Sequence, residues 1–221
     1  MTRNKSTEKS RKQAVTVPRT VIPKRWLAMA SLVLALVATL IVYLPSFSFD
    51  YVNNDDPAYV HGNQVIHSLT AGNIKKMFTE QAAVNYHPLT LLSLAIDYAR
   101  ADNVKESGEK DPAPFHQTNI LLHLLNVILV FVFIYRLSGN KWTVAFLCAV
   151  LFGIHPVHVE SVSWISERKD VLYTFFFLLS LLTYLSYTAS GNIFLYMGAL
   201  LLFILSALSK PAAAPMGLIL F

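Results

Sequence analysis

The chain has 221 residues, of which 54% are apolar and 14% are charged, and its mean hydropathy is +0.47. This composition is typical of a membrane protein and excludes an ordinary soluble domain. The single cysteine, Cys148, excludes a disulfide-stapled secreted fold and a cysteine-based zinc or redox site. The 18 basic and 13 acidic residues give a net charge of +5. A basic protein can bind nucleic acid or a membrane surface, and the positions of the charges distinguish the two.

Residues 1–25 form a basic tail that holds eight Lys or Arg residues and one acid. No aromatic residue lies before Trp26 to stack on bases, so a nucleic-acid partner is not expected. The tail instead favours a cytoplasmic anchor that follows the positive-inside rule. The lipid bilayer is therefore the first partner that the sequence predicts.

Five apolar runs predict membrane-spanning helices. The first, residues 26–44, has 19 uncharged residues and would be about 28 Å long as a helix. Its length, and the lack of a small-x-small cleavage site after it, favour an uncleaved span over a signal peptide. The other complete runs and the start of a sixth lie at residues 117–135, 143–154, 171–188, 193–208 and after Pro215. We therefore expect an all-α polytopic membrane protein.

The charges fit one topology. If the tail is cytoplasmic, five crossings place residues 46–115, residues 155–170 and Lys210 on the extracytoplasmic side. Twelve of the 13 acids then lie outside, whereas ten of the 18 basic residues lie inside. We expect a multi-pass protein of a bacterial inner (plasma) membrane, or of the endoplasmic reticulum in a eukaryote.

The first extracytoplasmic loop, residues 46–115, is long enough to contain short helices. Pro88 begins a predicted helix on which Thr90, Ser93 and Asp97 share one face. This pattern predicts a helix at the membrane interface or wedged against the spans.

Near its start, this loop contains the run NNDDP at residues 53–57. The two acids, Asp55 and Asp56, are either part of a plain turn or the carboxylates of a catalytic site. Neighbouring side chains diverge, so they do not suit a glycosidase pair that flanks one bond. One catalytic base with one orienting acid fits the spacing better.

The second motif begins with HPVHVE at residues 155–160. His155, His158 and Glu160 invite a zinc interpretation, but Pro156 interrupts a helix and Glu160 leaves the face that the histidines share. We expect no cofactor, with a divalent metal as the less favoured alternative.

Arg168 and Lys169 follow in the same outer segment, where cations are disfavoured, and cations kept there often bind a ligand. A guanidinium beside an ammonium suits a phosphate, and anchoring to lipid head groups is the alternative. Lys210 lies on the same predicted side. Acids and cations from three segments thus converge on one membrane face, which suits transfer of a group linked to a lipid phosphate.

A polar stripe runs along the predicted second span. Its members recur at i, i+3, i+7 and i+10 and are His116, Asn119, His123 and Asn126. Hydrogen bonding between helices is the favoured role, and a substrate-facing wall is the alternative.

Five stretches together carry a resemblance to a known family: NDDPAYV, NYHPLTLLSLAIDY, FHQTNILLHLLNVILVF, HPVHVESVSWISERKDVL and LSALSKP. The sequence resembles the N-terminal part of the transmembrane and tetratricopeptide-repeat-containing protein O-mannosyltransferases, and related bacterial membrane proteins, of the GT-C glycosyltransferase superfamily. The resemblance implies a GT-C-like helical bundle that transfers a sugar, here mannose, from a polyprenyl-phosphate donor with inversion. Family members usually have ten or more spans, so we expect this chain to be an N-terminal fragment that is inactive by itself.

The resemblance also implies roles for individual residues. Asp55 would be the base and Asp56 its partner, while Arg168, Lys169 and, less strongly, Lys210 would bind the donor phosphate. The site would be shaped by residues of the second motif and of the polar stripe, namely His155, His158, Glu160, His116 and Asn119. The acceptor would be a hydroxyl of a protein or glycan. The alternatives are a non-catalytic membrane scaffold that uses the 46–115 loop, and a transporter of a lipid-linked or anionic substrate.

Overall fold

The structure is a computed structural model that describes residues 23–81, 85–101, 104 and 108–217. Residues 1–22 of the predicted basic tail and most of the sixth apolar run lie outside these residues. Eight α-helices follow one another along the described chain: α1 Lys24–Tyr43, α2 Ala71–Thr79, α3 Pro88–Arg100, α4 Ala113–Leu137, α5 Trp142–Ile154, α6 His158–Ser163, α7 Arg168–Ser190 and α8 Ile193–Ser209. The described residues contain no β-strand, and Val104 and Lys110 form an isolated antiparallel bridge.

Among the described residues, three helical segments are long and apolar enough to cross a membrane: Lys24–Ser48, Ala113–Leu137 and Ile165–Ser190. Helices α5 and α8 are also apolar but have 13 and 17 residues. At about 1.5 Å per residue, α5 falls short of a hydrocarbon core about 30 Å thick. The prediction of an all-α membrane protein is confirmed, while five complete crossings and their orientation stay predictions.

Tight turns bring consecutive helices back beside each other. Gly139 and Asn140, both with positive φ, connect α4 to α5. Gly191, at φ 68°, ends α7, and Asn192 accepts a hydrogen bond from the Phe194 amide to begin α8. Such left-handed caps favour Gly or Asn because a Cβ strains this backbone conformation. The opposite ends of these helices consequently meet the long 46–115 loop at one end of the bundle.

Small side chains allow α1 and α5 to pack closely. Ala145, Ala149 and Gly153 recur every fourth residue along α5 and are buried, and they face Ala35 and Thr39 of α1. A Cβ added to Gly153 would overlap the Thr39 hydroxyl. This is the small-residue packing by which helices approach one another in membranes, where apolar surface alone supplies little driving force.

The 46–115 loop has a hydrophobic core of its own. Helix α3 supplies Leu91, Leu94 and Ala95, which pack with Tyr59 and Ile165. Pro88 is the first residue of α3, as predicted, and the helix lies against α4, α7 and α8. The loop is therefore a packed cap on the bundle, and its polar residues are held at fixed positions.

Candidate active site

Hydrogen bonds and ion pairs fasten three distant segments together at the loop end of the bundle. The Asp56 carboxylate accepts from the Ser166 amide at 2.9 Å, which joins the start of the loop to the segment before α7. Thr90 donates to the Ser209 carbonyl at 2.9 Å, and Lys210 pairs with Asp170. The sequence predicted that these segments share one membrane face, and the structure brings them together.

The two adjacent acids lie in different surroundings. Asp56 is fully buried, and its carboxylate accepts from the amides of Val52 at 2.8 Å and Ser166 at 2.9 Å. Asp55 is partly buried, and its carboxylate has no hydrogen-bond or ion-pair partner among the described residues. A carboxylate bound to two backbone amides holds a loop in place, whereas an unpaired carboxylate has lone pairs with which to accept a proton.

Arg168 is the centre of a buried polar cluster. Its side chain has 0% exposure. The guanidinium donates to Asn119 Oδ1, to Ser93 Oγ at 2.7 Å, to Asp97 Oδ2 at 2.7 Å and to the Phe115 carbonyl at 2.8 Å. Because four of its five N–H groups are engaged, a donor phosphate would have to displace these partners. The geometry therefore favours a positioning role over the phosphate contact predicted from the sequence.

Lys169, the next residue, lies in a more open position. Its Nζ is 2.7 Å from Glu167 Oε1, and both side chains are 12% exposed. The same ammonium lies 5.2 Å from the centroid of the Tyr59 ring. The Asp55 carbonyl accepts hydrogen bonds from the amides of Ala58 and Tyr59, which connects this ring to the acidic motif. Lys169 is thus the basic residue of the second motif whose surroundings fit a phosphate contact.

Lys210 supplies a second ammonium group at the same end. It pairs with Asp170, and the two side chains are 29% and 24% exposed. Burial alone would lower the pKa of Lys210, but the hydrogen bond that it donates to Asp170 and the charges of Asp170 and Glu167 raise the pKa overall. Lys210 therefore stays protonated. Two ammonium groups and two carboxylates make a network of zero net charge, in which an arriving phosphate would compete with Glu167 and Asp170.

His87 adds a buried imidazole that belongs to none of the motifs for which the sequence predicted a role. It immediately precedes α3, is 2% exposed, and its ring lies 5.2 Å from that of Tyr59. Burial, together with the charges of Lys169 and Lys210, lowers the pKa of His87 to about 4. Its Nε2 has no hydrogen-bond partner among the described residues. The only sequence signal for His87 was its place in the stretch NYHPLT.

The other residues of the second motif are spread apart. His155 and Glu160 are exposed, and His158 is half-buried beside Phe152. Helix α5 ends at Ile154 and α6 begins at His158, so Pro156 interrupts the helix as predicted. Within the described residues, no three His, Cys, Asp or Glu side chains lie close enough to hold a metal ion.

The polar stripe of α4 is buried at all four positions. Asn119 donates to the Trp164 carbonyl at 3.0 Å, His123 bonds to the Gly153 carbonyl at 3.0 Å, and Asn126 donates to the Val171 carbonyl at 2.9 Å. The fourth member, His116, packs edge-on against Phe49. The bonds of Asn119, His123 and Asn126 support the predicted role in bonding neighbouring segments. Both ring nitrogens of His116 are instead buried without a hydrogen-bond partner among the described residues.

Comparison with known proteins gives relatives named as protein O-mannosyl-transferases. The chain is 32% identical over 187 residues to the human protein O-mannosyl-transferase TMTC4, and 30% identical over 192 residues to its mouse counterpart. These matches cover 76% and 78% of the chain but 24% and 25% of the relatives. The mouse protein O-mannosyl-transferase TMTC1 is 37% identical over 101 residues, which are 45% of the chain and 10% of that protein.

The chain thus spans about a quarter of the length of the first two relatives. No family model matches it, and no solved structure matches it. The chain is nevertheless similar to several proteins named as TMTC O-mannosyl-transferases, so the family resemblance indicated by its motifs is confirmed.

Proposed function

We propose that this chain contributes the base and the phosphate-binding residues of a membrane mannosyltransferase. The reaction transfers mannose from a polyprenyl-phosphate donor to a hydroxyl, such as that of a protein Ser or Thr, on the extracytoplasmic side. The observation that carries this proposal is the contrast between Asp55, whose carboxylate is unpaired among the described residues, and Asp56, which two backbone amides hold. The names of the relatives supply the sugar and the protein acceptor.

In the proposed step, Asp55 accepts the proton of the acceptor hydroxyl while the oxygen attacks the anomeric carbon. The bond between that carbon and the phosphate oxygen breaks on the opposite face, so the configuration inverts. A side chain that removes this proton contributes typically 10²- to 10⁴-fold to the rate. Asp56 fixes the backbone that carries Asp55 through its bond to Ser166.

The departing polyprenyl phosphate takes the electron pair of the broken bond and needs positive charge. Lys169 and Lys210 supply it, because both are partly exposed ammonium groups at the loop end of the bundle. Each exchanges a carboxylate partner, Glu167 or Asp170, for a phosphate oxygen. The reaction as proposed involves no cofactor. The two cationic side chains stabilise the negative charge of the departing phosphate, as a metal ion does in other phosphate sites.

Arg168 is a positioning residue in this proposal, because it fixes the backbone that carries Lys169. Its guanidinium ties α7 to Ser93 and Asp97 of α3 and to Asn119 of α4. The backbone on either side of it carries Glu167 and Lys169. The buried cluster therefore sets where the Lys169 ammonium lies relative to the acidic motif.

The test is transfer of labelled mannose from a short-chain polyprenyl-phosphate donor to a Ser/Thr peptide. It uses membranes with the protein expressed from its complete gene. We expect Asp55→Asn to lower transfer by about a hundredfold or more at matched expression. Asp50→Asn is the matched control, because Asp50 is an exposed acid on the same segment, and we expect near wild-type transfer.

Equal transfer by wild type and Asp55→Asn would refute Asp55 as the base. No transfer by wild type, with the protein present in the membrane, would instead favour a scaffold. Uptake of the lipid-linked sugar that survives Asp55→Asn would favour a transporter.

A further inference from the structure

A cavity of about 250 Å³ lies between α4, α5, α6 and α7, near the loop end of the bundle. At about 30 Å³ per water it has room for about eight water molecules, which suits one monosaccharide ring. Neither Asp55 nor Lys169 lines it. It is therefore distinct from the acidic motif and needs its own explanation.

The cavity presents hydrogen-bonding groups from three helices. Asn126 of α4 is 1% exposed, and its Oδ1 is buried without a hydrogen-bond partner among the described residues. A buried carbonyl oxygen without a partner costs about 1–3 kcal/mol, so this oxygen favours a ligand with a hydroxyl donor. Ser161 of α6 and Thr174 of α7 add hydroxyls, and Asp170 adds a carboxylate that accepts from Ser161 at 3.1 Å.

His158 adds an imidazole to the same wall. Burial lowers the pKa of His158, and the neighbouring His155 lowers it further, although Asp170 opposes both. The ring is consequently neutral at pH 7, with one nitrogen that donates and one that accepts. Such a group matches a sugar hydroxyl, which also donates and accepts.

The ring of His123 and largely apolar side chains form the rest of the wall. Phe152 and Tyr173 contribute aromatic rings and Val157 an aliphatic group. These surfaces suit the C–H faces of a sugar ring. No Lys or Arg lines the cavity, so a phosphate would meet no positive charge there.

We propose that this cavity binds a single neutral sugar ring, the mannose of the lipid-linked donor. Lys210 connects it to the phosphate site, because its ammonium pairs with Asp170, whose other oxygen bonds Ser161 in the cavity wall. The phosphate at Lys210 and the sugar beside Asp170 would then be adjacent. Naming the donor rests on the proposed function, whereas affinity for a monosaccharide does not.

The test measures binding of methyl α-mannoside by saturation-transfer-difference NMR, with the full-length protein in nanodiscs and methyl α-glucoside as the second probe. We expect Thr174→Val and His158→Gln each to weaken mannoside binding by about two- to tenfold, since each removes a hydrogen bond. Thr188→Val is the matched control. Thr188 is an exposed threonine near the other end of α7, so binding should be unchanged. The melting temperature of each variant checks its fold, and Ser161→Ala replaces a variant that melts early.

No saccharide signal from the wild type overturns the proposal, and so does mannoside binding that is unaffected by all cavity variants. Equal loss of signal in Thr188→Val also overturns it, because the effect would not come from the cavity. The outcome is independent of transfer. Mannoside binding that depends on Thr174, in a protein whose Asp55→Asn variant still transfers mannose, would support the cavity while refuting the proposed base.

Discussion

The substitution Asp97→Asn tests whether the buried cluster around Arg168 holds the site together. Asp97 is 1% exposed and accepts from Arg168 at 2.7 Å, Thr118 at 2.8 Å and Arg100 at 3.0 Å. Asparagine keeps the shape but removes the negative charge, which leaves the fully buried guanidinium uncompensated. Removing one partner of a buried ion pair costs about 3–5 kcal/mol, so the folding equilibrium should fall by about a hundredfold or more.

The assay is equilibrium unfolding of the purified protein in mixed micelles, followed by tryptophan fluorescence. Asp55→Asn is the control, because the Asp55 carboxylate has no partner among the described residues, and we expect a change within about 0.5 kcal/mol. A double-mutant cycle with Arg168→Met should give a coupling energy of about 1–3 kcal/mol. If Asp97→Asn lost less than about 1 kcal/mol, or the cycle showed no coupling, the assignment of Arg168 as a positioning residue would fail.

Three other predictions use the same preparations. Gly153→Ala should lower the free energy of unfolding by about 1–3 kcal/mol, because the added methyl group overlaps Thr39. Adding Thr39→Ala should restore most of that stability. Undiminished stability of the single variant would contradict the packing of α1 against α5. Since the pKa of His87 is about 4 in the folded protein against 6.5 unfolded, stability present above pH 6.5 should fall as the pH drops towards 4. The loss should be about 2 kcal/mol between pH 7 and pH 5, and His87→Phe should abolish this part of the slope. Lys210→Gln should lower kcat/KM for mannose transfer by about 10- to 100-fold. Lys75→Gln, at an exposed lysine of α2, is the control and should leave kcat/KM unchanged. Equal values of kcat/KM for both variants would remove Lys210 from the phosphate site.

The network around the two lysines makes donor binding an exchange of partners. In the described structure, Lys169 and Lys210 are paired with Glu167 and Asp170. A phosphate therefore gains the attraction of two ammonium groups but must replace two carboxylates. The affinity for the donor depends on that difference, so the sugar and the lipid chain have to supply part of the binding energy.

The sequence by itself determined the class of the protein and its long apolar helices. Apolar runs of about 20 residues need no neighbours to be recognised, because the bilayer requires backbone hydrogen bonds to be satisfied within each helix. Pro88 marked a helix start through its backbone preference alone. The periodic stripe of α4 predicted buried polar contacts, which depend on helix geometry and not on knowing the partner.

Only the tertiary structure decided which polar residues are free to act. Asp55 and Asp56 are chemically identical neighbours, yet the Asp56 carboxylate accepts from one amide four positions away and from another 110 positions away. The Asp55 carboxylate is unpaired among the described residues. Arg168 and Lys169 are likewise adjacent, but α3 and α4 enclose the first and leave the second near the surface. Burial and hydrogen bonding depend on contacts between residues distant in sequence, so local spacing selects the residue types of a site but not their roles.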